Sequence, residues 1–168
     1  MVFFLSSERL KADLLNDNVA DEYIRSAIIT VQQDLTELLG DCLYSKLEEM
    51  VEDETINGTV YQELLDSYIV PFLEFCAMAE LVLTTSFKVG NIGLFTNYDA
   101  NANQNELSTV KYVEKHYRQK AEFYRNRMVK YLAKNKDSFP EYDVCGCDSI
   151  TNPSTNAITK TGIWLGGK

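Results

Sequence analysis

Between Leu107 and Leu132 apolar residues recur every three or four positions, at Leu107, Val110, Val113, Tyr117, Ala121, Tyr124, Met128, Tyr131 and Leu132. Only an α-helix places that spacing on one side. The stretch from Leu107 to Lys134 contains neither Gly nor Pro, and at 1.5 Å per residue it runs roughly 40 Å. A helix of that length crosses a whole domain, so the remainder of a 168-residue chain must be arranged along its apolar stripe.

The same helix is basic in a chain that is otherwise acidic. Residues 111 to 136 hold nine cations against Glu114 and Glu122 alone, a net of +7, whereas residues 1 to 110 carry five cations against 19 carboxylates, a net of −14. The last 32 residues contribute −2, which completes the formal charge of −9. A chain polarised in this way is suited to meeting something charged: its own other half, a copy of itself, or a nucleic acid. Three readings of Lys111, Lys115, Arg118, Arg125 and Lys130 stay open. They can be the solvated flank of a packed helix, with their stems laid along the apolar stripe. They can dock on the acidic surface of a neighbouring copy in a head-to-tail contact of the kind that closes rings. Or they can track phosphates without reading sequence, in which case binding weakens steeply with salt. No helix-turn-helix with a compact recognition helix stands out.

A hydrophobic content of 45% over this length predicts one core of ordinary size. The opening Met-Val-Phe-Phe-Leu has no basic region and is short for a signal peptide, and the most apolar stretch, Tyr68 to Leu83, is interrupted by Pro71, Glu74 and Glu80. The expectation is a soluble protein made in a cytoplasm, with no membrane partner. Cys42, Cys76, Cys145 and Cys147 do not form the dense framework of a small secreted domain and are expected to be reduced thiols.

Helix follows helix along the chain. Ser6 or Ser7 can cap a short first helix reaching Leu15, and Asp21 a second with Ile24, Ala27, Ile28 and Val31 on one face, stopped at Gly40. A third runs from Asp41, with Leu43, Leu47, Met50 and Val51 opposite Glu48, Glu49, Glu52 and Asp53, and Asn57-Gly58 supplies its closing turn. Thr59 with Gln62 reads as a capping box for a helix that Pro71 must kink or restart. From Phe72 to Phe87 nearly every face is apolar, which predicts the central core helix. Residues 88 to 106 carry loop chemistry, rich in Gly and Asn, and Ser108 or Asn105 is expected to cap the long helix that follows. Pro140 closes the helical part. This divides the chain into a helical domain, 1 to 142, and an extended C-terminal arm, 143 to 168, whose Ile163, Trp164 and Leu165 form an apolar triplet suited to anchoring a partner. The fold class is all-α, a multihelical bundle with one long C-terminal helix.

No catalytic constellation emerges, and none of the candidate sites survives comparison with its simpler explanation. Gly162 to Lys168 satisfies the letters of a phosphate-binding loop, but the required strand, the Ser or Thr after the lysine and the following helix are missing from the sequence. Cys145-Gly146-Cys147 is too closely spaced for a zinc knuckle and lacks two further ligands, while the single histidine, His116, lies mid-helix among cations. The acidic run Glu48 to Glu54 has helical spacing and none of the Asp/Asn/Gly pattern of a calcium loop. Asn57-Gly58-Thr59 matches a glycosylation acceptor without a secretory signal to give it meaning. The expectation is no enzyme, no metal and no cofactor.

Several short words of the sequence carry a resemblance. Asp21 to Ile28, Leu38 to Leu47, Glu63 to Pro71, Met78 to Leu81, Ala121 to Arg127 and Phe139 to Tyr142 are similar to segments of the head-to-tail connector (adaptor) proteins of tailed phages, most of all those of gut Bacteroidota including the crAss-like group. The likeness covers about residues 6 to 142 and is one of helices and short words, without a catalytic signature. It implies a connector-type bundle: a structural virion protein forming a ring oligomer of about twelve copies, a dodecamer, at the neck between portal and tail. Such a subunit binds the portal protein on one side and a tail or second ring protein on the other. Its ring extends the channel through which DNA passes without sequence-specific binding and completes the head. Its place would be the virion, after assembly in the host cytoplasm. Deleting Gly162 to Lys168 is then expected to leave the domain folded but to prevent docking on the partner ring. The alternative is a soluble helical intracellular binding or regulatory protein, to which an anchor-bearing arm is equally suited.

Overall fold

The computed structural model describes residues 2–15, 19–90, 93–96 and 107–144. The fold is all-α. Its helices are α1 (Ser7–Asp13), α2 (Asp21–Leu39), α3 (Asp41–Glu52), α4 (Val60–Leu64), α5 (Val70–Ser86), α6 (Leu107–Lys134) and α7 (Pro140–Val144), with a π-helical turn at Leu65–Ile69 and a 3₁₀ turn at Lys136–Ser138. The α6 bounds coincide with those expected from the apolar spacing.

Burial follows the helical period. In α2 the buried positions are Ile24, Ala27, Ile28, Val31, Gln32, Leu35 and Leu39, and in α3 they are Leu43, Leu47 and Met50. The central helix is α5, apolar on most faces and packed against both α2 and α6. Val60 to Ser86 is one continuous helical run, and by length and composition alone it is apolar enough to cross a membrane. Leu64, Ile69 and Leu73 within it are fully enclosed by the rest of the bundle.

Pro71 neither breaks this run nor restarts it. A proline in an α-helix clashes with the carbonyl four residues back. Here the turn just upstream, Leu65–Ile69, is widened to π geometry, which makes room for the ring while the axis continues. At the start of the run Thr59 caps as expected, its Oγ1 accepting from the Gln62 N–H at 3.4 Å. The Gln62 carboxamide reaches one residue further back than a capping box requires and accepts from the Gly58 N–H at 2.8 Å.

Other boundaries depart from expectation for local reasons. Asp21 does not cap α2: it is the first helical residue, its carboxylate lies 2.6 Å from the Lys11 ammonium, and the N-cap is Ala20. Between α2 and α3 a single residue makes the joint. Gly40 has φ 75° and ψ 156°, donates to the Thr36 carbonyl at 2.9 Å and accepts from Tyr44 at 3.0 Å. That backbone region is nearly closed to residues with a Cβ. α3 ends before Asn57-Gly58, by a Schellman closure in which Thr55 N–H donates to Met50 O at 3.0 Å and Glu54 N–H to Val51 O at 3.3 Å. The left-handed residue of the motif is Glu54, with φ 56°.

Residues 88 to 106 are not loop throughout. Phe87–Gly90 (β1) and Gly93–Thr96 (β2) form an antiparallel hairpin in the register Phe87↔Thr96, Lys88↔Phe95, Val89↔Leu94 and Gly90↔Gly93. Phe87 and Val89 before the first glycine, and Phe95 and Thr96 after the second, favour strands, and the pairing leaves two residues between them, the commonest hairpin length. Residues 97 to 106, and with them the N-cap of α6, lie outside the described residues.

Pro140 opens a helix instead of closing the helical part. It is the first residue of α7, where its missing N–H costs nothing, and the short helix returns the chain to the core with Phe139 at 0% and Tyr142 at 1% exposure. Phe139 meets Tyr61 edge-on at 5.2 Å and Tyr131 at 5.8 Å. The helical domain therefore reaches Val144, and the remainder of the expected arm, residues 145 to 168, lies outside the described residues. The expectation of four reduced thiols fails at Cys42, which is disulfide-bonded, whereas Cys76 is free. Cys42 is exposed in the first turn of α3.

Candidate interaction surface

One side of α6 is held by an aromatic ladder. Tyr68 stacks on Tyr131 with ring centroids 4.4 Å apart, and Phe75 stacks on Tyr124 at 5.5 Å and on Tyr117 at 6.4 Å. Val110, Ala121, Met128 and Leu132 complete the buried edge. At about 3.6 residues per turn, Tyr112, Phe123 and Lys130 fall on one line opposite that edge. Tyr112 is 73% and Phe123 58% exposed, so the solvent face of the helix interleaves large aromatic rings with cations.

The five basic residues named on this helix have different settings. Arg118 is bonded to Glu114 on its own helix, which with the nearby Glu80 carboxylate raises the guanidinium pKa. It lines a small hollow of about 200 Å³ where α2, α5 and α6 meet, beside Asp34, Cys76 and Glu122. Arg125 lies 3.3 Å from the Glu122 carboxylate, which also accepts from Asn126 at 3.1 Å. Both cations are paired within their own helix. Lys111 and Lys115 are exposed on the first half of α6, and Lys130 on the last. Ile163, Trp164 and Leu165 lie outside the described residues.

Lys130 belongs to a cleft of about 580 Å³ between α6 and the start of the Val60 run. Arg127 and Lys134 share its wall with Tyr68, Tyr131 and Glu63. The Arg127 guanidinium lies 5.5 Å from the Tyr68 ring centre, 5.7 Å from Phe123 and 5.8 Å from Tyr124, a setting that holds a planar cation in place by its π contacts. Tyr131 donates to Glu63 at 3.2 Å; burial, that hydrogen bond and the Glu63 charge raise its pKa. Neither Arg127 nor Phe123 figured among the expected site residues. The available signal was Phe123 itself, an apolar residue off the buried stripe and in line with Tyr112 three turns earlier.

The opposite charge is carried by α3. From Asp41 to Glu54 there are six acidic residues against Lys46 alone, and Lys46 is engaged by Glu49 at 3.1 Å. Asp41, Glu49, Glu52, Asp53 and Glu54 are all exposed. α3 packs on α2 and α7, and α6 on α5 and the π-helical turn, so the two charged faces sit on elements without extensive mutual packing. Among the described residues no group of three His, Cys, Asp or Glu side chains converges as a metal site would require.

A family model described as a family of unknown function (DUF6712) matches residues 35–152. The chain belongs to this family. The DUF6712 match begins in the second half of α2 and takes in α3, the core helix, α6 and α7, so it includes both charged faces. No curated protein and no solved structure matches the chain.

Proposed function

We propose that this DUF6712 protein is a structural virion protein of a tailed phage, a ring subunit at the neck between portal and tail that extends the DNA channel and completes the head. The observation that carries the reading is the pairing of a solvent-facing basic and aromatic stripe on α6 with a separate acidic face on α3. A subunit with two complementary faces on different elements is suited to joining copies of itself head to tail, and such a contact closes into a ring when the rotation permits. The resemblance of its helical words to phage connector proteins supports the same role, with the portal protein and a tail or second ring protein as neighbours. A surplus of carboxylates also suits a conduit, because repulsion keeps passing DNA from adhering to the wall.

The test is the number of copies of this chain in purified virions, measured by quantitative mass spectrometry against the major capsid protein. The expected value is about twelve, the copy number that the resemblance to phage connector proteins implies for a closed ring. Absence from the particle would overturn the reading and leave an intracellular binding or regulatory protein as its replacement.

A further inference from the structure

We infer that the occupant of the basic cleft on α6 is the acidic face of α3 from a second copy of this chain. This deepens the ring reading above and rests on it, but it names the contact. Three cations converge on the cleft, Arg127, Lys130 and Lys134, spaced at one and two helical turns along α6 so that they point the same way. Arg127 is steadied by three aromatic rings and needs little further ordering to bind. The exposed Val60 at the cleft edge and Phe123 beside it supply apolar area around the charges. This combination, an ordered arginine with aromatic neighbours at the centre and lysines around it, is that of a protein contact with acidic side chains.

The complementary surface is on the same chain. Glu49 and Glu52 on the last turn of α3 and Asp53 at its C-cap follow one another at helical spacing and are all exposed; Glu49, though it also meets Lys46 at 3.1 Å, is 64% exposed. Three carboxylates within about one turn match three cations within two turns. A nucleic acid is the weaker candidate for the cleft. Glu63 lies in its wall, and the −9 charge of the chain repels a polyanion at range, whereas a second copy brings its own acidic face to the basic one. Because the two faces differ, the contact is heterologous, and each copy keeps one free face for the next.

The experiment uses the complete chain and two double variants, Lys130→Glu with Lys134→Glu, and Glu49→Lys with Glu52→Lys, followed by sedimentation velocity and native mass spectrometry at low and high salt. The unaltered chain is expected to self-associate at low salt and to dissociate as salt rises. Either double variant should weaken association at least about tenfold. Mixing the two variants, or combining all four changes in one chain, should restore it, an outcome that misfolding cannot produce. A chain that is monomeric throughout, or variants that associate unchanged, would overturn the contact. So would retention of the complete chain on duplex DNA that is lost with the α6 variant while self-association is unaffected. Ring copy number in the virion is read separately: about twelve copies together with unaltered association of the variants would discard this interface and keep the ring.

Discussion

Arg9 donates from its Nε to Glu74 Oε1 at 2.7 Å, joining the first short helix to the centre of the core helix across 65 residues of chain. The Glu74 side chain is only 11% exposed, on a helix whose neighbours are almost all apolar, while the Arg9 side chain is 43% exposed. The pair therefore sits at the rim of the core, and its role is to compensate a carboxylate that the packing of α5 has drawn inside. Arg9→Met leaves that charge short of a partner and should destabilise the fold by about 1–3 kcal/mol. Arg9→Met combined with Glu74→Met removes both charges and should recover most of the loss. Chemical denaturation of the two single variants and the double variant measures this, and a double variant as unstable as the sum of the singles would refute it.

Glu54 closes α3 in a left-handed conformation with φ 56°. For a residue with a side chain this costs roughly 1 kcal/mol, and glycine avoids the cost. Glu54→Gly should therefore raise stability by up to about 1 kcal/mol, despite adding an otherwise flexible residue. Thermal unfolding followed by circular dichroism decides the sign.

That helix end shows where the fold is legible in the sequence and where it is not. The buried faces of α2, α3 and α6 could be read from spacing alone because each is a sustained run at helical period, and tertiary packing only confirms what Ile24, Leu43 or Met128 already indicate. Glycine-based reasoning succeeded at Gly40, where the backbone demands it. It failed at Glu54 because the left-handed residue there is a glutamate, and the visible Asn57-Gly58 lies three residues beyond the Glu54 turn. Phe139 and Tyr142 were missed as core residues because their burial depends on α7 folding back, a long-range event without local periodicity. The same limit applies to the surface. The cations of α6 were countable in advance, but whether Arg118 pairs with Glu114 or Arg127 lies over Tyr68 depends on geometry that spacing does not contain.

Tyr61 donates its hydroxyl to Glu141 at 2.9 Å, fastening the core run to α7. Burial, with the hydrogen bond and charge of Glu141 in the same direction, raises its pKa from 10.0 to about 12. Since the folded chain holds this proton more tightly than the unfolded one, the contribution is fully present below pH 10 and is lost as pH rises from 10 towards 12. Unfolding titrations across that window should show a steeper alkaline loss for the unaltered chain than for Tyr61→Phe. Equal pH dependence in the two would contradict the assignment.

Cys76 faces the hollow beside Asp34 and Arg118, and its thiol pKa is pushed up to about 12, first by burial and then by the Asp34 charge. The thiolate is the reactive form, so Cys76 should resist alkylation in the folded protein. Iodoacetamide at mildly alkaline pH, followed by peptide mapping, should modify Cys76 only at the rate at which the chain opens. Modification as fast as in urea would show that the hollow does not protect it. Asp34→Asn should lower the thiol pKa and leave the fold intact, because burial remains the larger cause.

Gln32 is fully buried, and its carboxamide is used at both ends: Oε1 accepts from the Phe4 N–H at 3.1 Å, and Nε2 donates to the Val2 carbonyl at 2.6 Å and to the Tyr44 hydroxyl at 2.8 Å. One side chain of α2 thus stands in for a neighbouring strand to the N-terminal segment, which carries Phe4 into edge contact with Tyr44 at 5.4 Å. Gln32→Leu fills the space but leaves a buried N–H and a carbonyl without partners, so it should cost about 1–3 kcal/mol. The loss should be local before it is global. The Phe4 amide should exchange with deuterium many-fold faster in the variant, while amides in the middle of α5, held by α2 and α6, quicken only in proportion to the loss of overall stability. If the Phe4 amide exchanges at the same rate in both proteins, the segment is held by the burial of Phe4 and Leu5 and not by this side chain.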